Sequence, residues 1–289
     1  MSIVSLLNDS GIARVDDVYS GEELRSLNSS LDPLLRGRSD QKRSYVHIDE
    51  LHALGALDVV LNRKMRDTLF AIMPDPVLYH CFVIETAGND PEANLFADHL
   101  AGWHRDPDCS YSRREPTHVS IFAYLSDVGE DDGAFAFVPQ SPEKLLRSST
   151  RSILVTGSAG YTFAWQRPFY HRASPNRGPR RRRIVKISVQ RNAFPSVHLA
   201  SPHYRAAIDA IPAGDPATDV LFGRYQGRRA PRIVERPDVA ASAIAPTGRL
   251  GIDDGALLRA QLRKEAADIK GRLKSLLGER SRSIAAYDS

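Results

Sequence analysis

Val77-Leu78-Tyr79-His80-Cys81-Phe82-Val83-Ile84 opens the part of the chain whose reading decides the fold. From residue 77 to residue 190 the apolar period is two. The segments His118–Leu125, Ala134–Val138, Ser152–Val155, Thr162–Trp165 and Arg182–Val189 follow, separated by Gly, Pro, Asp and Asn clusters. Short strands at fairly even spacing predict a sandwich, jelly roll or barrel. There is no βαβ alternation and no glycine-rich loop opening a helix, which excludes Rossmann and P-loop readings.

Upstream, residues 1–76 read as helices and one strand. Gly11–Val15 is a short half-apolar strand. Ser20-Gly21-Glu22-Glu23 spells a capping box, and Leu24, Leu27, Leu31 and Leu34 keep helical spacing behind it. A second helix is expected over about residues 55–72, with Leu57, Val60, Leu61 and Leu69 on one face. Downstream, residues 212–251 carry five prolines and five glycines and read as too broken for regular elements. Gly255–Leu277 reads as an amphipathic helix that docks on the sheet or forms a dimer contact, leaving monomer and homodimer both open. The expected organisation is a single domain over 1–289, with N-terminal helices and strand in 1–76, the β core in 77–190 and a loop-rich extension with a C-terminal helix in 191–289.

Composition bounds the function classes. At 289 residues, 42% hydrophobic and 26% charged, the chain can bury a core large enough to enclose a small-molecule pocket. No apolar run approaches the roughly 18 residues of a membrane span, so no membrane partner is expected. Two cysteines outside any CxxC pair, Cys81 and Cys109, disfavour a disulfide framework or structural zinc, and cytoplasmic location is the expectation. The net charge of +4 is mild and much of it is local: Arg177, Arg180, Arg181, Arg182 and Arg183. Nucleic-acid binding through that run is one reading. It is disfavoured because the run lacks the spread and aromatic interleaving of a nucleic-acid face.

The chemistry lies in Trp103-His104-Arg105-Asp106. In an extended chain residues i and i+2 project to the same side, so His104 and Asp106 can aim an imidazole nitrogen and a carboxylate oxygen at one point. His171 follows 67 residues later, where a jelly roll can bring it beside the pair. Two imidazoles and a carboxylate on one face of an octahedron leave three open positions, the facial triad of non-haem Fe(II) oxygenases. Eleven residues beyond His171 stands Arg182. A planar guanidinium suits the far carboxylate of a dicarboxylate co-substrate. Strand alternation puts Arg180 and Arg182 on one side, Arg181 and Arg183 on the other.

Taken together, Trp103–Asp106, Val119–Leu125, Asp132–Ser141, Gly160–Ala164, His171–Asn176 and Arg182 resemble the phytanoyl-CoA dioxygenase family over roughly residues 6–190. The resemblance implies a double-stranded β-helix (a jelly-roll, cupin-like core), mainly β with flanking helices. It implies an Fe(II)- and 2-oxoglutarate-dependent dioxygenase that uses O2, most simply to hydroxylate a small-molecule substrate with release of succinate and CO2. His104, Asp106 and His171 map onto the iron ligands, and Arg182 onto the residue holding 2-oxoglutarate. Asp106 fills the position that the family's halogenases give to Gly or Ala, which favours hydroxylation. Ala173 stands where a small hydroxyl residue often assists the co-substrate. The reading from a different class is a non-catalytic β-helix binding module.

Other residues carry plainer readings. His47-Ile48-Asp49 repeats the H-x-D spelling but sits at a helix entry. His80, His99 and His118 are expected in the core or behind the ligands, and His198 and His203 on the surface. Trp103 and Trp165 wall the pocket or simply pack. Pro107–Arg114 and Arg167–Tyr170 flank the open side, where their positive groups fit an anionic or polar substrate and fit surface charge equally.

Overall fold

The computed structural model describes residues 1–91, 103–106, 109, 112, 115–139, 151–193, 201–225, 237–245 and 248–249, with isolated helical positions between 256 and 267. The expected helix Gly255–Leu277 lies largely outside the described residues, as do most of Pro107–Arg114, His99 and His198.

The chain begins with α1 (Ile3–Ser10), β1 (Ile12–Val15), α2 (Gly21–Arg36), β2 (Arg43–His47), α3 (Ile48–Ala53), α4 (Leu57–Val60) and α5 (Arg63–Ile72). The β core follows: β3 (Pro76–Thr86), β4 (His118–Tyr124), β5 (Phe135–Phe137), β6 (Arg151–Val155), β7 (Thr162–Gln166), β8 (His171–Ala173) and β9 (Arg182–Arg191). The remainder holds α6 (Pro202–Ala210), α7 (Pro216–Leu221), β10 (Ala241–Ser242) and β11 (Gly248–Arg249).

Two sheets form. A seven-stranded sheet runs β10-β1-β7-β4-β9-β3-β2 and a four-stranded one runs β11-β6-β5-β8, with antiparallel neighbours throughout. This is a mainly β jelly-roll core with flanking helices, one of the architectures the period-two pattern allows and the one the family resemblance implies. Alternation divides the large sheet into two faces. Val185, Ile187 and Val189 of β9, with Val119 and Ile121 of β4, pack under the helices beside Leu7, Leu31 and Leu69. Ile184 of β9, with Phe122 and Tyr124 of β4, faces the small sheet and meets Phe135, Phe137 and Trp165. Each buried aliphatic on the helix-covered face contributes roughly 2 kcal/mol of transfer free energy.

Local chemistry sets the helix ends. Ser20 and Glu23 form the capping box expected of them: Glu23 N–H donates to Ser20 Oγ at 3.2 Å and Ser20 N–H to Glu23 Oε2 at 2.7 Å. The expected helix over 55–72 is two helices, because Asn62 interrupts it. Its Oδ1 caps α5 by accepting from Met65 N–H at 2.9 Å, and its Nδ2 donates to Val18 O and Glu23. The reading of 212–251 as wholly irregular is corrected by α7 and the two short strands. Asp215 accepts from Thr218 N–H and Pro216 opens the first turn, so a proline read as a breaker is a helix start. Ser201 and Pro202 begin α6 in the same way. β10 pairs with β1 and β11 with β6, so the extension supplies an outer strand to each sheet. α1 and β2 were not read from the sequence either.

In β3 the register against β9 shifts between Leu78 and His80. The bulge spends one residue, Tyr79, and restores alternation with His80 and Phe82 facing the small sheet's side. It lies beside the end of the barrel where the two H-x-D residues and His171 meet.

Candidate metal centre

β8 starts at His171, and His104 pairs with it directly. His104 N–H donates to His171 O at 3.0 Å and His171 N–H donates to His104 O at 2.9 Å. Residues far apart in sequence are thus locked in one antiparallel bridge, which sets their ring centroids 4.4 Å apart. Asp106 follows on the same side, its Oδ2 at 4.0 Å from His171 Nε2. One ligand atom from each of His104, Asp106 and His171 falls within 4.8 Å of the others, and among the described residues no other such group of three forms. Adjacent ligands with bonds of about 2.1 Å stand about 3 Å apart, so side-chain rotation of an ångström or so would close the set on an ion.

The donor chemistry fits a divalent iron-type ion. His171 is buried, and its Nδ1 lies 2.9 Å from the Phe169 carbonyl oxygen. Only a protonated Nδ1 can donate there, which assigns the lone pair to Nε2. Burial first, then the neighbouring His104, holds the His171 protonation well below its ordinary range, so the ring is neutral and its Nε2 lone pair is open to an ion. Trp165, 4.1 Å from the His171 ring, and Phe135, at 5.7 Å, wall it on the inner side. Gly11 has φ of 80°, and a Cβ there would meet the Phe169 ring at 2.6 Å. A side chain at residue 11 would therefore press on the segment whose carbonyl orients His171.

Asp106 is held by an arginine. Arg167 Nε donates to Asp106 Oδ2 at 2.6 Å, and the Asp106 N–H reaches back to Arg167 O at 3.4 Å. The guanidinium lies 4.6 Å over the Tyr79 ring, with Nη1 3.5 Å from His80 Nδ1. Burial lowers the Arg167 pKa to about 9, which leaves it a cation at neutral pH. Asp106 thereby gains a fixed orientation and a counter-charge behind it.

The arginine run divides as alternation requires. Arg181 and Arg183 both reach Glu85, at 2.7 Å each, and Arg183 also pairs with Asp32 at 2.9 Å. Arg180 pairs with Asp132 at 2.9 Å. These three arginines are thus engaged with acids of the same chain, which reduces the charge the run offers outward. Arg182 is buried on the inner face and donates to the Gly133 carbonyl. Arg177 is exposed.

The competing H-x-D is used elsewhere. Asp49 accepts from His203 at 2.8 Å, the His47 and His203 rings stack at 4.2 Å, and the His47 N–H donates to Glu50 at 2.9 Å at the entry to α3. His203 is exposed, as the sequence reading expected, and is also paired with Asp49. His118 is buried with Nδ1 3.1 Å from Thr117 Oγ1, and His80 stands behind Asp106 through Arg167. Trp103 is buried, with Arg172 at 4.6 Å over its ring.

Sequence reasoning passed over Lys186. It sits on the inner face of β9, with Nζ 5.7 Å from the Phe82 ring and 5.9 Å from the Phe122 ring. Burial, then Arg167, lowers its pKa to about 8 against a smaller opposing pull from Asp106 and Cys109. Period-two counting from Arg182 could have found it, but a lysine alternating with Val and Ile equally describes a solvated strand face.

A family model described as Phytanoyl-CoA dioxygenase (PhyH) matches residues 7–184. Solved structures of the same fold include AviO1 from Streptomyces viridochromogenes Tue57, at 18% identity and TM-score 0.53, covering 66% of this chain and 94% of that one. The epimerase SnoN in complex with Fe3+, alpha ketoglutarate and nogalamycin RO is similar at 16% identity and TM-score 0.52, over 65% of this chain and 82% of its own. EctD from S. alaskensis with bound Fe matches at 14% identity and TM-score 0.52, over 73% and 84%. No curated protein matches the chain in sequence. No helix among the described residues is long and apolar enough to cross a membrane.

Proposed function

The chain belongs to the phytanoyl-CoA dioxygenase family, a family of non-haem iron and 2-oxoglutarate oxygenases, and from that premise we propose that it hydroxylates a small-molecule substrate at a centre held by His104, Asp106 and His171. The observation that carries the assignment is the His104–His171 backbone bridge, which gathers three ligand atoms within 4.8 Å. Fe(II) bound there would supply dioxygen activation coupled to oxidative decarboxylation of 2-oxoglutarate to succinate and CO2.

The chain's own residues do the rest. His171 offers Nε2 because the Phe169 carbonyl holds Nδ1–H. Arg167 orients Asp106 through its Nε–H and sets a counter-charge behind the carboxylate. Arg182, on the inner face four residues before Lys186, anchors the far carboxylate of 2-oxoglutarate. Ala173 lends no hydroxyl, so co-substrate orientation rests more on the guanidinium than it would with a serine there. Trp165, Phe135 and Phe137 exclude water from the inner side. A carboxylate at residue 106 occupies the position an exogenous halide would need, which favours oxygen transfer.

Succinate formation without added substrate tests the assignment. The wild-type chain with Fe(II), 2-oxoglutarate and air is expected to release succinate slowly, and Asp106→Ala is expected to release none above background. Unchanged turnover in that variant would remove Asp106 from the centre. Once a substrate is found, 18O2 is expected to place one labelled oxygen in the product. A product without the label would point to ring closure, epimerisation or desaturation.

A further inference from the structure

We propose that Lys186 selects the substrate: its ammonium, on the inner face of β9 between the Phe82 and Phe122 rings, meets an anionic oxygen group (carboxylate, sulfonate or phosphate) on the molecule that is oxidised. This inference rests on the oxygenase reading and names its substrate class.

Lys186 is a cation in an awkward place. It is walled by two aromatic rings, and among the described residues it donates no hydrogen bond and enters no ion pair. Phe82 and Phe122, opposite it on the two flanking strands, are apolar, and a structural role between them would be served at lower cost by leucine or methionine. Yet part of its surface remains accessible, as do parts of His104 and Asp106. The side chain is therefore partly accessible at the metal end of the barrel rather than sealed in the core.

The surrounding charges sharpen this. Lys186 feels Arg167, Asp106, Cys109 and Arg43. Asp106 is the one carboxylate in that set, and it is engaged by Arg167 and assigned to the metal. Iron's two charges, the Asp106 carboxylate, a dianionic co-substrate and Arg182 cancel one another. Among the described residues the Lys186 ammonium is left over, with Arg43 and Arg167 adding to the same positive field. An incoming anion is what such a field favours.

The co-substrate and the substrate could both bring that anion, and position separates them. Arg182 stands four residues earlier on the same face, a translation of about 13 Å along the strand. The charges acting on Arg182 are Tyr124 and Arg43, whereas Lys186 feels Asp106 and acts on His171. Lys186 is thus the cation nearer the reacting end, and Arg182 the one deeper in the barrel.

The test reads the lysine itself. The chain has seven lysines, so selective 13Cε-lysine labelling gives few resonances, and the Lys186→Met spectrum identifies the one that matters. In the zinc-loaded, diamagnetic protein at constant ionic strength, 2-oxoglutarate is expected to leave the Lys186 titration midpoint within about 0.3 unit, while sodium sulfate raises it by about one unit, a tenfold gain for the charged form. An equal rise with 2-oxoglutarate alone would make Lys186 a co-substrate ligand and overturn the proposal. So would indifference to sulfate at about 100 mM, a concentration that saturates even a weak millimolar site. In uncoupled succinate formation, Lys186→Met is expected to change the 2-oxoglutarate KM less than about twofold, and Arg182→Met to raise it at least about thirtyfold, the scale of a lost charge-assisted contact. The reverse pattern would contradict the assignment. If the chain made no succinate at all, the oxygenase reading would fail while the sulfate response of Lys186 still stood or fell by itself.

Discussion

The two faces of β9 have opposite character. Val185, Ile187 and Val189 point under the helices and are completely buried in an apolar layer. Arg182, Lys186, Ser188 and Gln190 point the other way, into the space between the sheets. One strand serves both because its side chains alternate with period two. The outer face holds the sheet against the helices, and the inner face carries polar groups whose burial a metal, a dicarboxylate and a substrate would offset. Arg181 and Arg183 reinforce the division: they leave on the helix side and close on Glu85.

Substitutions on the two faces should therefore fail in different assays. The largest effect belongs to the metal end: His171→Ala is expected to lower succinate formation at least about a thousandfold, the scale of several kcal/mol of metal-supplied activation. Its thermal unfolding should stay cooperative. On the covered face, Ile187→Ala is expected to cost about 3 kcal/mol in urea unfolding, with the KM for 2-oxoglutarate unchanged; a KM change would blur the division. Arg167→Gln, behind Asp106, is expected to weaken Fe(II) binding by about 10–100-fold, as loss of an orienting partner does. Smallest is Asn62→Ala, which removes the α5 cap and is expected to cost about 1 kcal/mol of stability with no change in turnover.

Acid should sharpen the same contrast. Glu23 has its pKa lowered, first by the backbone N–H of Ser20. A carboxylate whose folded pKa is depressed stabilises the fold above its unfolded value, and that contribution fades as pH falls through the folded pKa. Loss of the α2 capping box is thus expected below the ordinary carboxylate range, and a Glu23→Gln variant should flatten that part of the stability profile.

Much of this was legible in the text, for physical reasons. Short apolar segments with turn clusters between them narrow the fold to a sandwich, jelly roll or barrel, the family resemblance selects the jelly roll, and His104, Asp106 and His171 stand out because few residue types can ligate a metal. Arg182 was assigned by resemblance, eleven residues past His171, and the opposite sides taken by its neighbours follow from alternation. The missing parts are those where one spelling serves two states. Pro216 reads as a breaker, yet behind Asp215 it starts a helix, as Pro202 does behind Ser201. Asn62 reads as one polar residue in a helix, yet its side chain splits it. Arg167 sat in the segment expected to flank the centre, but its pairing with Asp106 depends on a tertiary approach across 61 residues. Lys186 needed to be known as inward-facing before its charge meant anything.

Anaerobic titration with Fe(II) and 2-oxoglutarate tests the centre most directly. The wild-type chain is expected to bind one Fe(II) per chain and to develop a visible charge-transfer band when 2-oxoglutarate joins it, and both Asp106→Ala and His171→Ala should lose the band. A band of undiminished strength in either variant would contradict the account.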